Sequence, residues 1–443
     1  MKRELQKYLS EGRFGLEKES LRLNKYSLLP SVSDHPFGSD PNISRDFCEA
    51  QTEIITPVCQ DTGELFDVLH ELNGRVKNVL AQQDEILWNH SNPPAGYNVR
   101  KIRVAQFEGL EKEKKEYRKY LREKYGISKM LLCGIHFNFS FTQGALDAIS
   151  GILDAGDGMY GISGTDSDRN AAGAGSFSRS TDAGTGSFKK RNGNSSGSFS
   201  DSIYLKLAAN TMKYAWLITY LTAASPVSAF ESSRGKKEKG YASLRCSRHG
   251  YWNNFIPTLD YTNLDAYIDS IQSLVDEGKL YSAWELYLPV RLKPKGANTL
   301  ENLRAGISHI ELRMLDINPL AEDGICKEDI DFLHLLLMMW AVQDPVCFDA
   351  DAQHRAVRNM QRAALLDEEG IWIEDPKYNL LPVRNAALNF LAQMDRFYET
   401  WQDPRILCLI QYERRKILNH SERYAERIVN KCANYWESQA IIV

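Results

Sequence analysis

The chain has 443 residues, 43 % of them apolar and 25 % charged, the balance of an ordinary globular protein with room for one large domain or two smaller ones. Its formal net charge of -4 shows no excess of either sign, so neither a nucleic acid nor an anionic membrane is implied as a partner. Residues 1–20 lack the apolar core of a secretion signal, and the most apolar stretches, Tyr214 to Val227 and Phe332 to Val342, are shorter than the roughly 20 residues a membrane span needs and read as buried helices. Eight cysteines are scattered with no C-x-x-C pair. This spacing excludes a zinc ribbon and a thioredoxin motif and suits a reducing cytoplasm.

In chain order, the first informative segment runs from Phe14 to Arg22. Residues two apart on a strand point the same way, so Glu17 and Glu19 share a face. Asp46 to Pro57 reads as a second strand, with Glu49, Gln51 and Glu53 on one face and Ala50, Thr52 and Ile54 on the other; Pro57 ends it. A helix follows, capped by Asp61 or Thr62, with the stripe Leu65, Leu69, Leu72, Val76, Leu80. Glu111 to Tyr125 is charged and helical in pattern. Gly134 to Phe141 alternates cleanly: Ile135, Phe137, Phe139 and Phe141 on one face, His136, Asn138 and Ser140 on the other.

Residues 159–202 change in kind, with Gly, Ser, Thr, Asn and Asp dominating. They hold a repeat at a period of eleven: Gly175-Ser176-Phe177, Gly186-Ser187-Phe188 and Gly197-Ser198-Phe199. Three polar copies cannot build a solenoid core. No G-x-x-x-x-G-K-[ST] is present to make a phosphate loop, so the tract reads as a mobile insertion or lid.

Helical patterns resume at Ile203 to Leu221. A fourth strand, His309 to Pro319, puts Glu311 and Arg313 on one face, with Asp316 and Asn318 following. Ile330 to Val342, carrying His334, is helical. Met360 to Leu366, Asn385 to Trp401 and Arg405 to Trp436 make the part beyond about residue 345 mostly helical. No linker divides the chain, so 1–443 reads as one catalytic domain.

Each of these strands alone is an ordinary half-solvated sheet face. Together they concentrate carboxylates with one imidazole and one amide. Clustered like charges are unfavourable unless cations neutralise them, and oxygen ligands with an imidazole suit magnesium or manganese. The pattern predicts a metal-assisted phosphoryl-transfer site on a sheet.

The four segments resemble those of the proteobacterial-type glutamate–cysteine ligases: Gly15-Leu16-Glu17-Lys18-Glu19-x-Leu21-Arg22, Asp46-Phe47 to Thr56-Pro57, Gly134 to Ser140, and Ile310-Glu311-Leu312-Arg313-x-Leu315-Asp316-Ile317-Asn318-Pro319. Weaker matches lie between them, at Tyr117-Arg118 through Gly126, Trp216 through Pro226, Ser243-Leu244-Arg245, and Glu285-Leu286-Tyr287-x-Pro289-x-Arg291. They run in family order from about residue 13 to 345.

The resemblance implies an α+β fold, a curved and mainly antiparallel sheet forming a glutamine-synthetase-like funnel wrapped by helices. It implies magnesium ligation at or near Glu17, Glu19, Asp46, Glu53, His136 and Glu311. Catalytic contacts to glutamate or the transferred phosphoryl group fall to Arg313 and Arg118, and substrate binding to Asn138, Arg245, Tyr287 and Arg291. The implied reaction uses ATP and magnesium, with manganese as a substitute, to turn the glutamate γ-carboxylate into an acyl phosphate that the amine of cysteine attacks. The partners expected are therefore small molecules. The repeat has no counterpart in the resemblance, and the length leaves no room for a second ligase, so only the first step of glutathione-type synthesis is expected. A ligase with another amine acceptor would carry the same signatures, whereas a non-catalytic relative would be expected to have lost some of them.

Overall fold

The computed structural model describes residues 2–106, 112–155, 198–228, 230–231, 237–238 and 240–431. Seven strands make the principal sheet: β1 (Arg13–Asn24), β2 (Ile43–Arg45), β3 (Gln51–Ile55), β4 (Glu85–Trp88), β5 (Ile135–Ser140), β6 (Val290–Pro294) and β7 (Ile307–Leu315). Their order is β2-β3-β1-β5-β7-β6, with β4 paired to the far end of β1. Every pairing is antiparallel.

The alternation read in β5 explains how the sheet is seated. Phe137 and Phe139 are fully buried on the core side with Phe14 of β1. The Phe14 and Phe139 rings lie 5.3 Å apart, and His334 packs edge-on against Phe14 at 5.0 Å. Burial lowers His334 to about 3, so it is a neutral core residue.

Helices pack around the sheet, among them α1 (Thr62–Ala81), α2 (Lys112–Tyr125), α3 (Phe199–Lys213), α4 (Ala215–Thr222), α5 (Lys327–Ala341), α6 (Ala350–Ala363), α7 (Val383–Tyr398), α8 (Pro404–Leu418) and α9 (Tyr424–Lys431). The predicted stripe of α1 is buried throughout, and Asp61 caps the helix by accepting from the Glu64 N–H at 2.9 Å. Asn73 on the same face takes a hydrogen bond from the buried Lys18 Nζ at 3.0 Å, so the residue between Glu17 and Glu19 faces the opposite layer.

The structure corrects several boundaries. Asp46 to Pro57 is not one strand: β2 ends at Arg45, residues 46–50 turn, and β3 begins at Gln51. Glu49 therefore does not share the face of Glu53; its carboxylate accepts from the His35 and Gln106 N–H groups at 3.3 and 2.6 Å. The Ile203 to Leu221 helix starts earlier, at Phe199, and is split at Tyr214 into α3 and α4. Ser198 and Asp201 form a reciprocal capping box, so residues 198–202 belong to a helix start and not to the polar tract. The other residues of the tract within 159–197, with the first two repeat copies and Gly197, lie outside the described residues. The strand after His309 stops at Leu315, where Asp316 instead accepts from the Ala224 N–H and the Ser225 hydroxyl at 3.0 and 2.8 Å. The stretch from Arg405 breaks at Asn419 and resumes as α9; residues 432–436 are outside the description.

Candidate active site

Antiparallel register decides which side chains meet, because residues directly opposite one another point to the same face. Glu19 stands opposite Glu53, Glu17 opposite His136, Asn138 opposite Glu311, and Glu311 opposite Arg291. Residues separated by most of the chain thus form one polar face on the side away from Phe14 and Phe137.

His136 is at the centre and buried. Its Nδ1 lies 3.1 Å from Glu17 and 3.8 Å from Glu311, and its Nε2 lies 3.6 Å from Glu19. Asn138 Nδ2 donates to the other Glu17 oxygen at 3.1 Å. One ligand atom from each of Glu17, His136 and Glu311 falls within 4.8 Å of the others.

The charges on this face are not evenly shared. Glu311 has cations: Arg313 Nη1 donates to it at 2.8 Å and Lys293 Nζ at 3.2 Å. Burial works against its charged form, but these two neighbours hold it well below the usual carboxylate range. Burial likewise pushes Glu17 up, yet the His136 hydrogen bond and the Lys293 charge leave it lowered. Burial, reinforced by Asp46, pushes Glu19 up to about 8 against the pull of Arg245 and Arg313. Glu53 is raised well above its ordinary value by burial and by the carboxylates of Glu17, Asp46 and Glu19. Burial and the Arg313 charge lower His136 to about 4, so the ring is neutral at pH 7 and its Nδ1–H can serve Glu17. That leaves the Nε2 lone pair, which is buried with no hydrogen-bond partner among the described residues, as is Asn138 Oδ1.

An orphaned imidazole lone pair beside unneutralised carboxylates fits a cation bound by oxygen and one nitrogen. Glu17, His136 and Glu311 are the residues whose ligand atoms lie together, with Glu19 3.6 Å from the His136 Nε2 and Glu53 opposite Glu19 on the same face.

The remaining predicted residues frame the face. Asp46 lies in the turn after β2, 3.9 Å from Arg118 Nη2 of α2, and Arg118 also donates to the Asp46 carbonyl. Arg245 is buried and donates to the Arg313 carbonyl. Its guanidinium passes so close to Gly134 that a Cβ there would meet it at 2.3 Å, so any larger residue before β5 would displace Arg245. Arg291 spends Nε and Nη2 on the carbonyls of Leu286 and Trp284, at 2.8 and 2.6 Å. A cleft beyond Arg313 is lined by Arg245, Tyr251, Trp252, Tyr287 and Met314 among others. The Tyr287 hydroxyl is buried beside those of Tyr117 and Tyr251, with no partner in full hydrogen-bonding geometry among the described residues.

Lys293 was not singled out in the sequence. The available signal was its spacing, two residues beyond Arg291 and hence on the same face. Tyr117 opens a matched segment but carries no expected role of its own, and Tyr251, outside every matched segment, gave no signal; both meet Tyr287.

Comparison with known proteins follows the same lines. A family model described as glutamate-cysteine ligase matches residues 1–159, 176–283 and 276–363. The glutathione biosynthesis bifunctional protein GshAB of Listeria monocytogenes is 31% identical over 444 residues, covering 96% of this chain and 52% of that protein. The protein of the same name from Clostridium perfringens is 30% identical over 448 residues, again covering 52% of its length. The chain therefore spans about half the length of these curated relatives. Among solved structures, a glutamate–cysteine ligase from Francisella tularensis in complex with AMP superposes with a TM-score of 0.78 at 22% identity, covering 97% of this chain and 86% of that one. A bifunctional glutathione synthetase from Pasteurella multocida gives 0.76 at 24% identity, covering 97% and 51%. At these identities the structures speak to the fold, a mixed helical and antiparallel-sheet architecture.

Proposed function

Because the chain belongs to the glutamate–cysteine ligase family, we propose that it joins the γ-carboxylate of glutamate to the amine of cysteine at the expense of ATP. The observation that carries this reading is the sheet face itself: Glu17, Glu19 and Glu53 with the free Nε2 of His136, next to Glu311 already engaged by Arg313 and Lys293.

A carboxylate is a poor electrophile, and phosphorylation makes phosphate its leaving group. Magnesium, when bound, would supply positive charge to the phosphoryl oxygens of ATP. Glu17, His136 and Glu311 would hold it, with Glu19, Glu53 and Asp46 at or near the same sites. Arg313 and Arg118 would meet the transferred phosphoryl group or the glutamate, and Asn138 would fix Glu17. Across the cleft, Tyr287 and Arg245 would form the wall the amine approaches, with Arg291 shaping that wall through its carbonyl contacts. The amine must arrive neutral and water must be excluded, which the buried tyrosines favour.

We further infer a curved, funnel-like sheet as in glutamine synthetase, a single catalytic domain over 1–443 with the tract at about 159–197 as an insertion, and a cytoplasmic setting. The seven described cysteines are all unpaired, which supports a reducing compartment. No described helix is long and apolar enough to cross a membrane.

The direct test is ADP release by the purified protein with magnesium-ATP and glutamate across cysteine, 2-aminobutyrate, alanine and glycine. Turnover strongest with cysteine is the expected result. No glutamate-dependent turnover with any of the panel would sink the reading.

A further inference from the structure

One buried carboxylate beside the cleft has no place in the chemistry above. Glu285, two residues before Tyr287, is completely buried. It accepts hydrogen bonds from the Tyr120 hydroxyl at 3.0 Å, the Tyr125 hydroxyl at 2.5 Å and the Tyr281 N–H at 2.6 Å, and pairs with Lys124 Nζ at 2.5 Å. Tyr120, Lys124 and Tyr125 all belong to the C-terminal half of α2.

The connection continues into the wall of the cleft. The Tyr125 hydroxyl accepts from Asn253 Nδ2 at 3.0 Å, and the same nitrogen reaches the Glu285 carbonyl at 2.7 Å. Asn253 Oδ1 accepts from the Tyr287 N–H at 2.8 Å. Asn253 directly follows Tyr251 and Trp252, which line the cleft.

The other contacts of α2 include the rings of Tyr117 and Tyr120 against Tyr281 and of Tyr117 against Trp284. Of residues 113–125 only Tyr117 and Leu121 are buried, far less apolar anchorage than α1 with its full stripe. Yet α2 carries Arg118, which stands against Asp46, and Tyr117, whose hydroxyl meets the Tyr287 region. Charge-assisted hydrogen bonds to one carboxylate are the stronger kind, and several on one group fix its geometry.

We propose that Glu285 is a positioning residue for the acceptor amine: it clamps the C-terminal half of α2 to the segment carrying Tyr287 and so sets the tyrosine wall. This rests on the ligase reading. Glu285 bonds to no residue of the carboxylate face among the described residues, and Arg118 keeps its own contacts to Asp46, so loss of Glu285 should leave the handling of ATP and glutamate intact while loosening the amine's seat.

The test is Glu285→Ala in the full chain, read by three KM values and by backbone amide exchange. The expected result is a rise of about ten-fold or more in the KM for cysteine, in line with the cost of a small misplacement near the reacting atoms. The KM values for ATP and glutamate should stay constant. Exchange should quicken in residues 119–125 but not in β1 or β5. Glu285→Gln, which keeps an acceptor oxygen, should recover part of the loss. If Glu285→Ala does not fold, the milder pair Tyr120→Phe with Tyr125→Phe takes its place with the same expected pattern. A rise in all three KM values together, or unchanged KM values with quickened exchange, overturns the proposal, because either marks a merely structural group. Failure of the ligase reading is seen separately, as absence of glutamate-dependent turnover in the unaltered protein. Unchanged exchange in 119–125 overturns the clamp whatever the unaltered protein catalyses.

Discussion

Two buried groups of charged side chains in this molecule are completed in opposite ways. Where α5, α8 and α9 meet, Lys416 Nζ donates to Asp329 at 2.9 Å and lies 2.7 Å from Glu413, while the Tyr424 hydroxyl lies 3.0 Å from both Asp329 oxygens. All four residues are buried, and the cation is inside the group. On the sheet face the cations stand to one side, about Glu311. Glu17, Glu19 and Glu53 have no Lys or Arg within ion-pair distance among the described residues. A charge group that only joins helices contains its own counterion. The sheet face leaves negative charge to be completed from outside.

The strongest way to break this comparison is to remove the excess charge. Glu53→Gln and His136→Ala should each lower glutamate-dependent ADP release by ~10²–10³-fold, the scale seen when one charge-stabilising group is lost from a catalytic site. The melting temperature of Glu53→Gln without metal should not fall, because an unneutralised carboxylate has been relieved. Full activity in both variants would refute the metal assignment. The converse change is Lys416→Met, which strands Asp329 and Glu413. It should cost about 3–5 kcal/mol in urea unfolding, the usual result of halving a buried pair, while turnover per folded molecule is kept.

A smaller effect separates the two groups without mutating either. Magnesium at a hundred times its dissociation constant should stabilise the protein by about 2.7 kcal/mol, seen as a higher melting temperature that Glu53→Gln abolishes and Lys416→Met keeps.

A further effect is in the pH dependence. Glu19 is raised to about 8, first by burial and then by Asp46; Glu413 is raised to about 8 by burial, partly offset by Lys416. Between the ordinary carboxylate value of 4.5 and about 8 the folded protein therefore holds more protons than the unfolded chain. Stability must fall as pH rises through that window, on the order of 1 kcal/mol per pH unit for each group. Magnesium should flatten the share due to Glu19 and leave that of Glu413, which Glu413→Gln alone removes. Identical slopes with and without magnesium would place no cation near Glu19.

Alternation made much of the face legible. The polar set of β5 and the pair Glu17 and Glu19 in β1 follow from a period of two, and the structure places them together as that period requires. The same period misled at Asp46 to Ala50, where alternate residues still looked strand-like. There the backbone bonds elsewhere, the Glu49 N–H donating to the Arg103 carbonyl at 2.9 Å and the Ala50 carbonyl accepting from the Arg22 N–H. Such long-range hydrogen bonds override local preference and leave no local trace. Lys293 was hidden for another reason: β6 is five residues long and ends in Pro294, too short for a pattern. Only its register against β7 puts Lys293 beside Glu311. The clamp at Glu285 was equally silent, because a buried acid in a 3-10 turn has no periodicity to reveal it.

The centre of the sheet is closed by β7, which pairs with β5 on one side and β6 on the other. β5 belongs to the first third of the chain and β7 to the last, so this pairing needs a contact very distant in sequence, the kind that slows folding. While the ribosome has yet to release Ile307, β5 has no partner on that side. Its phenylalanines and free backbone groups then form an open edge of the kind that recruits other chains. Synthesis of this protein should therefore be most vulnerable to aggregation in the interval between the emergence of β5 and that of β7, and a binder of exposed strand edges should matter most in that interval.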